Sequence, residues 1–226
     1  MYLAENILLL EMLKAGSTFM RRFMDNYFGR ENITKMGVHN GVSDKKLRND
    51  ILNGNLHAIN TVRNPFDWYV SLFAWNSMGG GIYKHIGLKR FDLSIEGIKS
   101  VFQNPMILFR DLEEWRRVFS DSRSKELFTE YLNLLLFKNA HHVDRKFGKV
   151  SDKIGYLTYR FLQLNTFHFY KNYPELLDPA CTSKNFFDKH KLPVNFLRLE
   201  KLEVDLVNIS EDLGLDVERV QNIIAE

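Results

Sequence analysis

A chain of 226 residues, 45% hydrophobic and 26% charged, can bury the core of one α/β domain, and a single domain over residues 1–226 is the expectation. A net charge of +3 is too small for a dedicated nucleic-acid binder, yet it leaves room for a local basic pocket that takes a small polyanion. The lone Cys181 excludes an intrachain disulfide and a cysteine metal cluster and fits a reducing, cytoplasmic setting; no apolar run approaches the ~18 residues that would suggest membrane insertion.

In chain order, Asn6–Met12 reads as a short buried strand. Its apolar run leads straight into the turn Leu13-Lys14-Ala15-Gly16, without the basic start and cleavage site of a secretory leader, so no leader is expected ahead of the fold. A helix follows from Ser17 to Phe28, apolar at Phe19, Met20, Phe23, Met24 and Tyr27. Ile33–Val38 reads as a second strand, Ser43 with Asp44-Lys45-Lys46-Leu47 as a capped helix start, and His57–Val62 as a third strand. Pro65 suits the first turn of a helix over Phe66–Ser77, which the glycine run Gly79–Gly81 ends. Apolar residues three and four apart predict helices over Ile95–Phe102, Met106–Phe119, Lys125–Phe137 and Ile154–Tyr170. Pro174 and Pro179 mark a loop, Val194–Leu199 a returning strand, and Leu202–Leu213 and Val217–Ala225 closing helices. The expected fold is α/β: a P-loop-like parallel β-sheet flanked by helices, with a largely helical middle and C-terminal region.

Two segments carry chemistry. A strand running into Lys14-Ala15-Gly16-Ser17-Thr18 at a helix start brings free backbone N–H groups, two hydroxyls and an ammonium to one point, which suits an anion. The nucleoside-triphosphate loop places its lysine directly before Ser or Thr, whereas Lys14 precedes Gly16, and that weakens a kinase or ATPase reading. The second segment is Thr61-Val62-Arg63-Asn64-Pro65-Phe66-Asp67-Trp68-Tyr69-Val70-Ser71. Here a strand end delivers Arg63, whose planar fork suits a phosphate, and a helix delivers the Ser71 hydroxyl.

These segments resemble those of the sulfotransferases that use PAPS (3′-phosphoadenosine 5′-phosphosulfate), which pair an N-terminal Lys-x-Gly-[Ser/Thr]-Thr loop with a downstream Arg-Asn-Pro…Asp…Val-Ser segment. Phe196-Leu197-Arg198-Leu199-Glu200-Lys201-Leu202, with Asp205 and Leu213-Gly214-Leu215, is similar to the closing strand and helix of that family. The resemblance implies that Lys14, Ala15, Gly16, Ser17 and Thr18 hold the 5′-phosphosulfate end of the donor, that Arg63 and Ser71 hold its 3′-phosphate, and that Phe19 stacks on adenine. Two departures stand out: Leu13 replaces a common proline before the lysine, and the Arg-Lys-Gly segment of vertebrate cytosolic members is missing. The chain looks closer to compact bacterial or phage-like members.

By the same resemblance, Lys14 meets the charge that builds on the leaving oxygen, and His39 is the base that deprotonates the acceptor, with Glu11 as the fallback. No metal is required. A nucleotide kinase or a non-catalytic anion-binding module are the rival readings. The acceptor is expected to be a small molecule or saccharide, and a lipid, phenol, amine or tyrosyl group would suit the same donor; oligomeric state is left open. His141-His142 with Asp144 read as a solvated loop rather than a metal site. Phe161, Phe167, Phe169, Tyr170 and Tyr173 read as core or as an acceptor pocket, and Tyr159-Arg160 as a possible donor or acceptor contact.

Overall fold

The computed structural model describes residues 1–36, 41–81, 101, 102, 105 and 111–225. In it the first apolar stretch folds as a hairpin rather than as one strand. β1 (Tyr2–Ala4) returns through Glu5 and Asn6 as β2 (Ile7–Leu10), pairing Ala4 with Ile7, and Glu5 takes φ +49° in the turn. A two-residue connection permits only antiparallel pairing. β3 (Thr34–Lys35) is also antiparallel to β1, whereas β4 (His57–Val62) and β5 (Val194–Arg198) continue from β2 in parallel. The sheet order is β3-β1-β2-β4-β5, so the expected parallel sheet is instead mixed, with a parallel centre. Of the strand expected at Ile33–Val38, only Thr34 and Lys35 pair, and residues 37 and 38 lie outside the described residues.

Contacts divide the chain into two compact units, Met1–Asn64 with Arg160–Glu226, and Pro65–Tyr159. In the first, the alternation of side chains along a strand sends residues to both faces of the sheet. Ile7, Leu9 and Ile59 pack against α1 (Ser17–Phe28), α10 (Leu202–Ile209) and α11 (Val217–Ala225), through Met20, Phe23, Leu206 and Val220. On the other face Leu8, Leu10 and Ala58 meet Ile51 of α2 (Lys45–Leu52) together with Val42, Phe167 and Leu192. The cap of α2 is Asp44, which accepts from Leu47 N at 2.9 Å, one residue later than Ser43.

The second unit holds α3 (Pro65–Ser77), α4 (Leu112–Val118), α5 (Lys125–Asn133) and the short α6 (Ala140–Val143), around an aromatic core of Trp68, Phe73, Trp115, Phe119, Tyr131 and Phe147. Phe73 and Tyr131 have ring centroids 5.3 Å apart. The expected helix Lys125–Phe137 changes to a π-helical turn at Leu134, and the helix expected at Met106–Phe119 is described only from Leu112. Of Ile95–Phe102, only residues 101 and 102 are described.

The expected helix Ile154–Tyr170 is two helices, α7 (Tyr156–Asn165) and α8 (Phe169–Asn172). Asn165 turns its amide to Phe161 O and to Asn60 on β4, Thr166 bonds back to Leu162 O, and His168 enters the left-handed region at φ +49°. Such local side-chain bonds compete with helix continuation, and periodicity does not register them. Periodicity also passes over α9 (Ser183–His190), whose cap Thr182 accepts from Asn185 N at 3.1 Å. Among the described residues no helix is long and apolar enough to cross a membrane.

Candidate functional site

The three parallel strands β2, β4 and β5 release their C-terminal loops at one end of the sheet, where open α/β sheets commonly bind ligands. After β2 the chain turns through Met12–Gly16, with Ala15 N donating to Met12 O at 3.3 Å, Lys14 at φ +61° and Gly16 at φ +95°. Two left-handed residues in close succession fold the loop back on itself and start α1 directly after it. Gly16 is the N-cap, and no side chain caps the helix. The first-turn N–H groups have no acceptor within the helix, and they form the positive end of its dipole. The loop also closes against the end of β5: a Cβ at Gly16 would stand 2.8 Å from Leu199 Cδ1.

The β4 loop adds the second cation. Arg63 Nη1 donates to Lys14 O at 3.3 Å, tying the end of β4 to the loop after β2. The Lys14 ammonium is pushed below its ordinary pKa, first by burial and then by repulsion from Arg63. The β5 loop supplies the support: Glu200 Oε1 accepts the Asn64 N–H at 2.7 Å, and this bond, with its own backbone N–H and the Arg63 charge, holds the Glu200 carboxyl below the usual range. Two cations are thus held beside an uncapped helix N-terminus, each on a loop fixed by a neighbouring strand.

No protein-family model, curated protein or solved structure matches the chain.

The remaining predicted residues fall as follows. Ala15 is fully buried and Ser17 half-buried, while Thr18 is exposed on the first turn of α1. Phe19 is partly buried and packs on the α1–α10–α11 core. Ser71 lies half-buried on α3 in the second unit. His39 lies outside the described residues, and the chain is described again from Gly41. Glu11, the fallback base, is fully buried, with its carboxylate held by the Met1 amino group at 3.3 Å and by Arg21 Nε.

His141 and His142 do not form the expected solvated loop. They lie on α6, His141 exposed and His142 buried, and Asp144 is taken up by the N–H groups of Lys146 and Phe147 and the hydroxyl of Tyr159. Among the described residues no group of His, Cys, Asp and Glu is placed to hold a metal. Of the aromatic stretch, Phe167, Phe169 and Tyr173 are core and Phe161 stacks on Phe196, whereas Tyr170 is exposed at the rim of a cleft. Arg160 donates to Gln163 on the same helix, α7. Sequence reasoning did not find Leu199 and Glu200 as parts of the site. The signal available was their place directly after β5, the strand that the pattern did predict.

Proposed function

We propose that the chain is a sulfotransferase that moves a sulfuryl group from PAPS to an acceptor hydroxyl or amine. The observation that carries this reading is the pairing of Lys14 and Arg63 at the uncapped N-terminus of α1, with the Arg63 guanidinium bonded to the Lys14 carbonyl. Two cations held together at a cost to one of them favour a ligand with more than one negative group, because a polyanion relieves their repulsion. Gly16, at φ +95°, turns the loop directly into α1 with no side chain capping it, which suits an anion at the first-turn N–H groups.

When bound, the donor supplies a sulfuryl group on a phosphate leaving group. The sulfur–oxygen bond to phosphate breaks as the acceptor oxygen or nitrogen bonds to sulfur, and the electron pair stays on the phosphate oxygen. Lys14 would stabilise that charge, and the N–H groups of α1 would hold the phosphate in line. The acceptor proton would pass to a base, the part assigned to His39 by resemblance.

Calorimetric titration tests the reading. 3′,5′-Adenosine bisphosphate should bind at least about tenfold tighter than 5′-AMP or ATP with Mg²⁺, about 1.4 kcal/mol, and Arg63→Ala should remove that preference. Equal affinity for the bisphosphate and 5′-AMP would reject the donor, and tighter binding of ATP with Mg²⁺ would favour a kinase.

A further inference from the structure

On the sheet face opposite α1, residues 41–43 run along α7. A Cβ at Gly41 would stand 2.0 Å from Gln163 O, and His168 N donates to Val42 O at 3.3 Å. Beside this crossing is a cleft of about 380 Å³ lined by Val42, Ser43, His168, Phe169, Tyr170 and Lys171 among others. Its volume falls in the range of small-molecule sites, about 300–1,000 Å³.

The lining is specific in its chemistry. Val42 and Phe169 are buried and give an apolar floor. The Tyr170 ring is 46% exposed, yet its hydroxyl is fixed by the amide of Gln163, which is 1% exposed and itself accepts from Arg160. An aromatic ring anchored at its polar end is a rigid platform for another ring. Around it stand a hydroxyl (Ser43), an imidazole (His168) and an ammonium (Lys171), and the Arg48 guanidinium lies 3.9 Å over the neighbouring Phe167 ring. The adjacent carboxylate, Asp44, accepts from Leu47 N as the cap of α2. His168 holds φ +49°, a strained conformation for a residue with a side chain, and strain of this kind gathers at ligand sites.

We infer that this cleft is a binding site for a six-membered ring bearing hydroxyl groups and a carboxylate. That ligand chemistry rests on the cleft alone and is independent of the sulfuryl-transfer reading. The ring lies against Tyr170, hydroxyls meet Ser43 and His168, and the carboxylate meets Lys171. A cationic amine would be repelled by Lys171, and a purely apolar tail would strip water from Ser43 and Lys171 without replacing its hydrogen bonds. A hexuronate sugar and a hydroxyaryl acid share the required chemistry.

The test uses the whole chain and four probes, methyl glucuronide, methyl glucoside, 4-hydroxybenzoate and phenol, followed by ligand-observed NMR titration. At least one carboxylate should bind about tenfold or more tighter than its neutral counterpart, and whichever carboxylate binds tighter identifies the source. Lys171→Gln should erase the gap between charged and neutral probes, Tyr170→Ala should weaken all binding several-fold, and neither should change affinity for 3′,5′-adenosine bisphosphate. Neutral probes binding as tightly as charged ones, or variants binding as wild type does, would overturn the inference. Bisphosphate binding without any carboxylate preference rejects the cleft and spares the donor reading. Carboxylate binding as expected with no bisphosphate binding rejects the donor reading and leaves the ring-carboxylate site standing.

Discussion

At φ +95°, Gly16 holds a backbone conformation that costs a residue with a side chain about 1–2 kcal/mol, and an added Cβ would meet Leu199 Cδ1 at 2.8 Å. Gly16→Ala should therefore destabilise the protein by about 1–3 kcal/mol in urea denaturation, through backbone strain and through the contact. The two parts separate in a double-mutant cycle. With Leu199→Ala as partner, the Gly16→Ala cost should shrink but not vanish, because shortening Leu199 makes room without changing φ. Strictly additive costs would mean that Gly16 and Leu199 do not touch. The need for glycine at this position was legible in the Lys-Ala-Gly-Ser-Thr string, since a strand-to-helix turn asks for it locally. Its second reason was not: Leu199 comes to the loop only because β5 pairs beside β4, and pairing between distant strands leaves no local pattern. Glu200 is hidden in the same way, since its task, accepting the Asn64 N–H, depends on two strand ends that meet only in the fold.

Between β5 and α10 the chain closes on itself through Arg198 and Asp205. Asp205 accepts from Arg198 N at 2.8 Å and from Arg198 Nε at 2.9 Å, and its other oxygen takes Arg198 Nη2 at 2.6 Å. The Arg198 side chain first, and its backbone N–H second, hold the Asp205 carboxyl at about 2, below its ordinary 3.8. A carboxyl whose pKa is lower in the folded than in the unfolded chain stabilises the fold above its unfolded value, and loses that contribution as pH falls through its folded value. The stability gap between wild type and Asp205→Asn should accordingly stay level above about pH 5 and close between about pH 4 and about pH 2. A gap unchanged down to about pH 2 would show that the pairing contributes nothing. Elements with long apolar periods, such as α1 and α11, were legible in the sequence to the residue. The ones that escaped were set by something other than periodicity. The β1–β2 hairpin turns at Glu5-Asn6, which lacks a glycine, and α7 breaks where Asn165 is drawn to Asn60 across a buried 2.8 Å bond.

Across the whole molecule, β4 precedes and β5 follows the Pro65–Tyr159 unit, yet the two strands pair from Ala58 with Val194 to Val62 with Arg198. Neither crossing, Asn64 to Pro65 or Tyr159 to Arg160, carries a glycine- or serine-rich linker, so composition gave no sign of the division. The first unit is therefore discontinuous in sequence, and the sheet that carries Lys14, Arg63 and Glu200 exists only when both of its chain segments are in place. β4 is bonded on both sides, to β2 and to β5, and Ala58 and Ile59 of β4, like Leu8, Leu9 and Leu10 of β2, are 0–2% exposed, packed under the cores on the two faces of the sheet. Its hydrogen bonds cannot open by fraying, because each lies between two strands and under packed side chains on both faces. β3, by contrast, is two exposed residues at the sheet edge. Native-state hydrogen exchange under increasing urea should place the β2 and β4 amides in one cooperative unit with the full denaturant dependence of global unfolding, and the β3 amides should exchange with almost none. Should the β4 amides open well before those of β2, the sheet would not be one unit, and the Arg63 loop would be free to part from Lys14 without unfolding of the core.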